Sequence, residues 1–328
     1  VNTPPGGPGS LPRVQWSDGT SYDGLNIAAI LKRIQTEHPH PPHFFPPVST
    51  ATNIAEASFD RFNGIMPRFT RPSSLAPFVF ADKVHAIGKF ELEKVVGDQA
   101  VPQFKYQVAV EVFDEVLGEY ENGPFVTGPS ISAADIYWAP FIERFVAHVP
   151  MLYEDPDLRS DEFEYLENWF DSMDRLVPCY PCRVKGRVET WRKLLAETHP
   201  SLPLRDNVRP VPDLPTKSYD ANEVWTRYAK DRPYVAKTPA EEVAACIVRN
   251  HEVIIKGAAE ACRLLDEDAD AAAREICFAL LSDGTKPKLS AEALDVLSYL
   301  DSGPEGLAVP GDLGVIPAEA LRSLIGRT

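Results

Sequence analysis

No apolar run in the 328 residues approaches the about 18 continuous positions a membrane-spanning helix needs, so a transmembrane span is excluded from the reading. Basic runs and basic stripes interleaved with aromatics are missing too. With a formal net charge of −15, the chain is a poor match for nucleic acid or an anionic membrane surface, and nucleic-acid binding is rejected. No charged-then-apolar signal region follows Val1, so the expectation is either a cleaved N-terminal segment or a chain that begins where order begins. A second C-x-x-C and a matching His pair are absent, which argues against zinc, and no metal ligand is assigned. The five cysteines make an odd count. Cys246, Cys262 and Cys277 lie in apolar helical context, which suits reduced thiols better than a secreted disulfide framework.

What is present is ordinary in bulk, with 44% hydrophobic and 25% charged residues, and long enough for two or three domains. The exception is proline. The 31 prolines cluster at 1–12, 39–47 and 200–215, which marks linkers rather than element interiors. Residues 11–34 predict a short strand, a turn at Ser17-Asp18-Gly19, a second short strand and a helix with Leu25, Ala28 or Ala29, Ile30 and Leu31 inward. Such a piece is too small to stand alone and must dock on something. From about residue 50 to 196 the pattern is helical, clearest at 104–120, where Val108, Val112, Val116 or Leu117 and Tyr120 recur at helical spacing. Beyond the Pro-rich stretch, four short helical segments are expected between about 238 and 328. The first is a long helix opened by the capping box Thr238-Pro239-Ala240-Glu241, with Val243, Ile247, Ile254, Ala258, Ala261 and Leu265 as its apolar stripe. Two Ala-Glu-Ala-Leu tetrapeptides, at 291–294 and 318–321, read as a chance repetition.

The strongest local signal is residues 124–145. Ser132 reads as a helix N-cap with Asp135 three residues on, each side chain placed to satisfy an orphan backbone N–H. Ile131 and Ile136 bracket the cap as a hydrophobic staple, and the plain reading of the four residues is structural. Ile-Ser-Ala-Ala-Asp-Ile at 131–136 resembles the capping motif of the glutathione transferase helical domain. The run Ser10-Leu11-Pro12-Arg13-Val14, followed by Asp18-Gly19 and Asp23-Gly24-Leu25, looks like the second half of that family's thioredoxin-like domain. Residues 166–195, and more loosely 232–254, resemble a plant and algal, plastid-type branch.

The resemblance implies a mainly α protein. It assigns a partial thioredoxin-like segment to 1–35, a Pro-rich linker to 36–50, and a helical domain to 51–196. A Pro-rich strap at 197–237 and a helical extension at 238–328 complete the division. It also implies that Leu11 and Pro12, the latter preceded by a cis bond, hold the backbone of glutathione, the alternative being a trans Pro in a loop. Asp23 and Gly24 match the acidic-Ser pair that holds a glutathione carboxylate on a helix N-terminus, with Gly in place of Ser. Losing that hydroxyl weakens binding by roughly 1.5–3 kcal/mol, and a plain N-cap by Asp23 explains the same residues. The eleven residues before Pro12 hold neither Cys nor Tyr, so the family's thiol-activating residue is not expected and no catalytic residue is assigned.

Three further constellations compete with bland readings. Cys179-Tyr180-Pro181-Cys182 has redox-dithiol spacing, but follows a helix ending near Leu176, where the dipole disfavours thiolate. Arg183 and Lys185 act the other way, so a redox pair, a structural disulfide and inert packing stay open. His38, His40 and His43 read as a solvated linker, with an adventitious metal site as the alternative. Trp138, Phe141, Phe145 and Trp169 read as core, with a hydrophobic co-substrate pocket as the alternative. Three functions follow. The first is an accessory or structural interaction subunit of a larger, plastid-type complex, reached through the Pro-rich segments and C-terminal extension. The second is a glutathione-dependent transferase or thiol reductase, with glutathione as its co-substrate. The third is a non-catalytic binder of hydrophobic ligands. The expected state is a monomer or hetero-complex in a plastid, or otherwise soluble within the cell.

Overall fold

In the computed structural model the described residues are 14–22, 27–40, 43–45, 103–119, 123–152, 159, 162–187, 192, 196, 204–205, 214–215, 218–282, 288–302 and 313–325. The chain divides into two compact units. Unit 1 is 1–170 with 198–208, and unit 2 is 171–197 with 209–328.

Unit 1 opens with the expected β-β-α piece. Strands β1 (Val14–Gln15) and β2 (Ser21–Tyr22) pair antiparallel, Val14 opposite Tyr22, and α1 (Ile27–Glu37) follows with Ile30 and Leu31 buried. The turn is held by Asp18, which accepts from Thr20 N at 2.9 Å and pairs with Arg33 at 2.7 Å. Those hydrogen bonds, the Thr20 N–H foremost, lower its carboxyl to about 2. Among the described residues three further helices follow: α2 (Gln103–Gly118), α3 (Ala133–Leu152) and α4 (Glu164–Leu176), the last crossing into unit 2 at Asp171. The β-β-α piece docks on α3. Leu31 and Phe45 form one apolar cluster with Ala133, and Phe44 O accepts the Ala133 N–H at 2.7 Å. Gln35 fixes that approach by bonding Phe45 at both N (2.7 Å) and O (3.0 Å).

The apolar stripe on α2 departs from the expected one in its first half: Val116 and Leu117 are buried as expected and Val112 is half-buried. Val108 is 50% exposed, and the core face is Val110, Phe113, Val116 and Leu117. Phe113, tilted onto Trp138 at 5.0 Å between centroids, anchors the face that turns inward. Tyr120 lies outside the described residues. At the C-terminal end of α3, Arg205 donates from N to Met151 O (2.9 Å) and from Nη1 to Pro150 O (3.3 Å), supplying donors to carbonyls the helix leaves open.

Unit 2 is helical throughout its described part. A π-helical turn (Tyr180–Val184) precedes α5 (Ala221–Ala229), α6 (Pro239–Arg249), α7 (His251–Cys262), α8 (Asp266–Leu281), α9 (Ala291–Asp301) and α10 (Val315–Ile325). Helix α5 stands within the segment read as a strap. Asp220 caps it, and its Trp225 is fully buried. The capping box is present, Thr238 accepting from Glu241 N and Glu241 accepting from Thr238 N. The helix it opens is shorter than expected. It breaks at Asn250, α7 stops at Arg263 in a left-handed conformation, and Ala261 and Leu265 consequently face water. From Thr238 onward the described residues therefore hold five helices, against the four expected. The tetrapeptides differ in place and phase. In α9 the first Ala-Glu is exposed, whereas in α10 the first Ala is buried, so they are no structural repeat.

The phase of α2 is testable. Phe113→Ala is expected to cost about 3–5 kcal/mol, and Val108→Ala about 0.5 kcal/mol or less, by urea denaturation. Equal costs would place the core face elsewhere.

Candidate functional site

Two polar constellations stand out. The first is the start of α3. Asp135 is fully buried, and its two oxygens take four hydrogen bonds. Oδ1 accepts from Val126 N and from Trp169 Nε1, both at 3.0 Å; Oδ2 accepts from Ser132 N at 2.8 Å and Ser132 Oγ at 2.7 Å. Asp135 thus caps Ser132 N as expected, while the Ser132 hydroxyl turns inward to donate to the carboxylate. The loop before the helix is closed by paired bonds between Phe125 and Gly128 (3.1 and 3.0 Å), with Gly128 at φ 118°, a conformation that favours glycine. Desolvation raises the Asp135 carboxyl from its ordinary value, and the four donors only partly offset this. Every acceptor direction of the carboxylate is taken by the fold, so its role here is to hold the chain.

The second constellation is in unit 2, around the C-x-x-C. Cys179 is exposed and Cys182 fully buried, and both are reduced. Cys179 precedes the π-helical turn, which Lys185 N closes on Tyr180 O at 2.8 Å. Lys185 is buried and pairs with both oxygens of buried Asp174, at 3.1 and 2.9 Å. Next along the chain, Arg183 reaches Tyr228 Oη (3.2 Å) and buried Glu242 (2.6 Å). Glu242 also receives Arg249 at 2.9 Å and Ala236 N at 3.2 Å. Arg249 bonds the Cys246 sulfur at 3.0 Å. Arg232 lies 4.7 Å from the Tyr228 ring centroid and donates to Tyr228 O. The result is a cluster of guanidinium groups beside three thiols.

These thiols are held protonated. Desolvation raises Cys179 despite Arg232, and desolvation followed by the charge of Cys179 pushes Cys182 up to about 12 despite Arg183 and Arg232. Burial likewise raises Cys246, Cys262 and Cys277. Burial works to raise the Glu242 carboxyl as well, but Arg183, Arg249 and the Ala236 N–H outweigh it and hold it below the usual range.

Leu11, Pro12, Asp23 and Gly24 lie outside the described residues, as do the side chains of Phe141 and Phe145. Trp138 and Trp169 are fully buried in the core. His38 and His40 are exposed, and among the described residues no group of three or more His, Cys, Asp or Glu is placed to hold a metal. None of the helices among the described residues is long and apolar enough to cross a membrane. Sequence reasoning missed Tyr228, Arg232, Glu242 and Arg249, because Arg183 meets Tyr228 and Glu242 across 45 and 59 residues. The C-x-x-C was the one local signal that led to their neighbourhood.

Asp135→Ala would strand several buried donors and is expected to destabilise unit 1 by about 3 kcal/mol or more, measured by denaturant unfolding. A loss below about 1 kcal/mol would show that water replaces the carboxylate. For Glu242 the sign is set by its lowered value. Its contribution is fully present above the ordinary glutamate value of 4.5 and is lost as the pH falls through the lower folded value. Unfolding midpoints between about pH 6 and about pH 3 should fall less steeply in Glu242→Gln than in the parent. Parallel curves would remove Glu242 as the titrating group.

Residues 98–172, which take in α2, α3 and the first part of α4, match the family model of the glutathione S-transferase C-terminal domain. Comparison with curated proteins and with solved structures returned no match for the chain. The described residues are mainly helical with one small β piece at 14–22, and the match of residues 98–172 supports the glutathione S-transferase superfamily.

Proposed function

We propose that the chain is a glutathione-transferase-like interaction subunit, working through protein contact rather than catalysis. The observation that carries this reading is the display of large apolar side chains on unit 2. Phe278 (65% exposed) and Leu281 stand three residues apart on one face of α8, with Val248 (67% exposed) on α6 and Val253 on α7. The partner is another protein, bound through the C-terminal extension and the Pro-rich segments. The residual glutathione contacts at Leu11, Pro12, Asp23 and Gly24 belong to the same proposal. By the resemblance of 166–195 and 232–254, the assembly is a plastid one.

A catalytic thiol at Cys179 or Cys182 finds less support, because both thiols are held protonated. Binding of hydrophobic ligands finds less support too, because Trp138 and Trp169 are sealed in the core.

Passage over immobilised glutathione, with assay of a general electrophile and of a small disulfide, is expected to give at most weak retention and no turnover. Retention with turnover would overturn the reading in favour of an enzyme. Phe278→Ser and Leu281→Ser should each change stability by about 0.5 kcal/mol or less, since both side chains already face water. A core-sized loss would mean that the chain itself covers them.

A further inference from the structure

The C-x-x-C of unit 2 is built asymmetrically. Cys179 is exposed, whereas Cys182 is fully buried in a cluster with Val224, Trp225, Tyr228, Val235 and Ile316. Ile316 belongs to α10, so the last described helix closes over the second thiol. The same contact continues in the backbone. Gly314, at the start of α10, lies so close to the Cys182 carbonyl that a Cβ there would overlap it. Helix α10 is therefore seated directly on the π-helical turn that carries the cysteine pair. Such turns are rare and are found frequently at functional sites.

Two residues three apart on a helical turn hold their Cβ atoms about 5–6 Å apart, while a disulfide needs about 3.5–4.5 Å. The pair is thus within reach of a bridge after a local shift. A shift that carries Cys182 towards the exposed Cys179 takes it out of the cluster it shares with Ile316. We propose that Cys179 and Cys182 form a reversible disulfide that is incompatible with the seated position of α10, so that the pair is a redox switch governing the docking of that helix.

The chemistry is thiol–disulfide exchange with a small-molecule disulfide as oxidant. Deprotonated Cys179, the accessible thiol, attacks one sulfur of the oxidant. The oxidant's S–S bond breaks, one of its halves leaves as thiolate, and a mixed disulfide forms on Cys179. Deprotonated Cys182 then attacks the Cys179 sulfur, the mixed disulfide breaks, and the second half of the oxidant leaves. Two cysteine thiols are oxidised to one disulfide, the oxidant is reduced to two thiols, and the two cysteine protons end on those thiols. The guanidinium groups of Arg183 and Arg232 lie where they assist each deprotonation, Arg232 acting on both thiols and Arg183 on Cys182. While α10 is seated, desolvation opposes them, so exchange is slow in the closed form. Coupling is reciprocal. If the bridge displaces α10, then weakening the seat of α10 must favour the bridge by the same factor.

The test treats the reduced full-length protein with 2-hydroxyethyl disulfide and follows the Cys179–Cys182 peptide by mass. Hydrogen exchange is recorded over Val315–Ile325. The expected result is loss of two hydrogens in that peptide, with amide exchange of α10 accelerated about tenfold or more, equivalent to about 1.4 kcal/mol. Gly314→Ala, or the milder Ile316→Val if the first does not fold, should speed bridge formation. Cys179→Ser and Cys182→Ser should each abolish it. Leu297→Ala, a core truncation on α9, controls for general loosening. The proposal is overturned if no bridge forms, if it forms while exchange in α10 is unchanged, or if both α10-seat variants react at the parental rate. Equal acceleration by Leu297→Ala would also overturn it, because unfolding rather than release of α10 would then limit the reaction.

Discussion

A carboxylate taken out of water must find a donor in each direction its lone pairs point, and in unit 1 the chain is arranged around meeting that demand at Asp135. The four donors come from three places: the loop at Val126, the N-cap residue Ser132, and Trp169 on the next helix. Together they tie loop, helix start and α4 to one side chain. Because an unpaired buried charge is far costlier than a paired one is stabilising, this arrangement specifies geometry more than it adds net stability. The approach of Phe44 to Ala133 N, clamped by Gln35, places the small β-β-α piece against the same helix start.

Unit 2 solves a related problem with ion pairs. Glu242 is buried beneath Arg183 and Arg249, and Asp174 beneath Lys185. A third pair joins Arg187 to Asp301 at 2.8 Å. Each links the segment 183–187 to a separate element, so a short stretch following the C-x-x-C becomes a hub for α4, α6 and α9. The seat of α10 on the neighbouring turn, enforced by the missing side chain at Gly314, adds a fourth connection. A cysteine pair at such a hub would transmit any change of bonding into several helices, which is the physical content of the switch inferred above.

Much of this was legible in residues close together in sequence. The box Thr238–Glu241, the pair Ser132–Asp135 and the hairpin turn at Asp18-Gly19 each satisfy backbone groups within a few residues, so spacing alone exposes them. The stripe on α2 was less legible, since Val108 and Val110 are chemically alike. Which of them faced inward depended on where Phe113 met Trp138. The long helix expected after Pro239 failed for a similar reason, because its apolar period continues past Asn250 although the backbone does not.

The sequence by itself determined the local rules: where helices start, which residue types cap them, and that the chain is helical around a glutathione-transferase-like motif. Only the tertiary structure decided what those residues are for. Ser132 turned its hydroxyl inward because Asp135, sealed from water, had a lone pair to fill. Cys182 became inaccessible because Ile316, 134 residues further on, was folded over it. Hydrogen bonds within one helical turn are set by spacing, which a sequence displays. Burial and pairing across scores of residues are set by packing, which it does not.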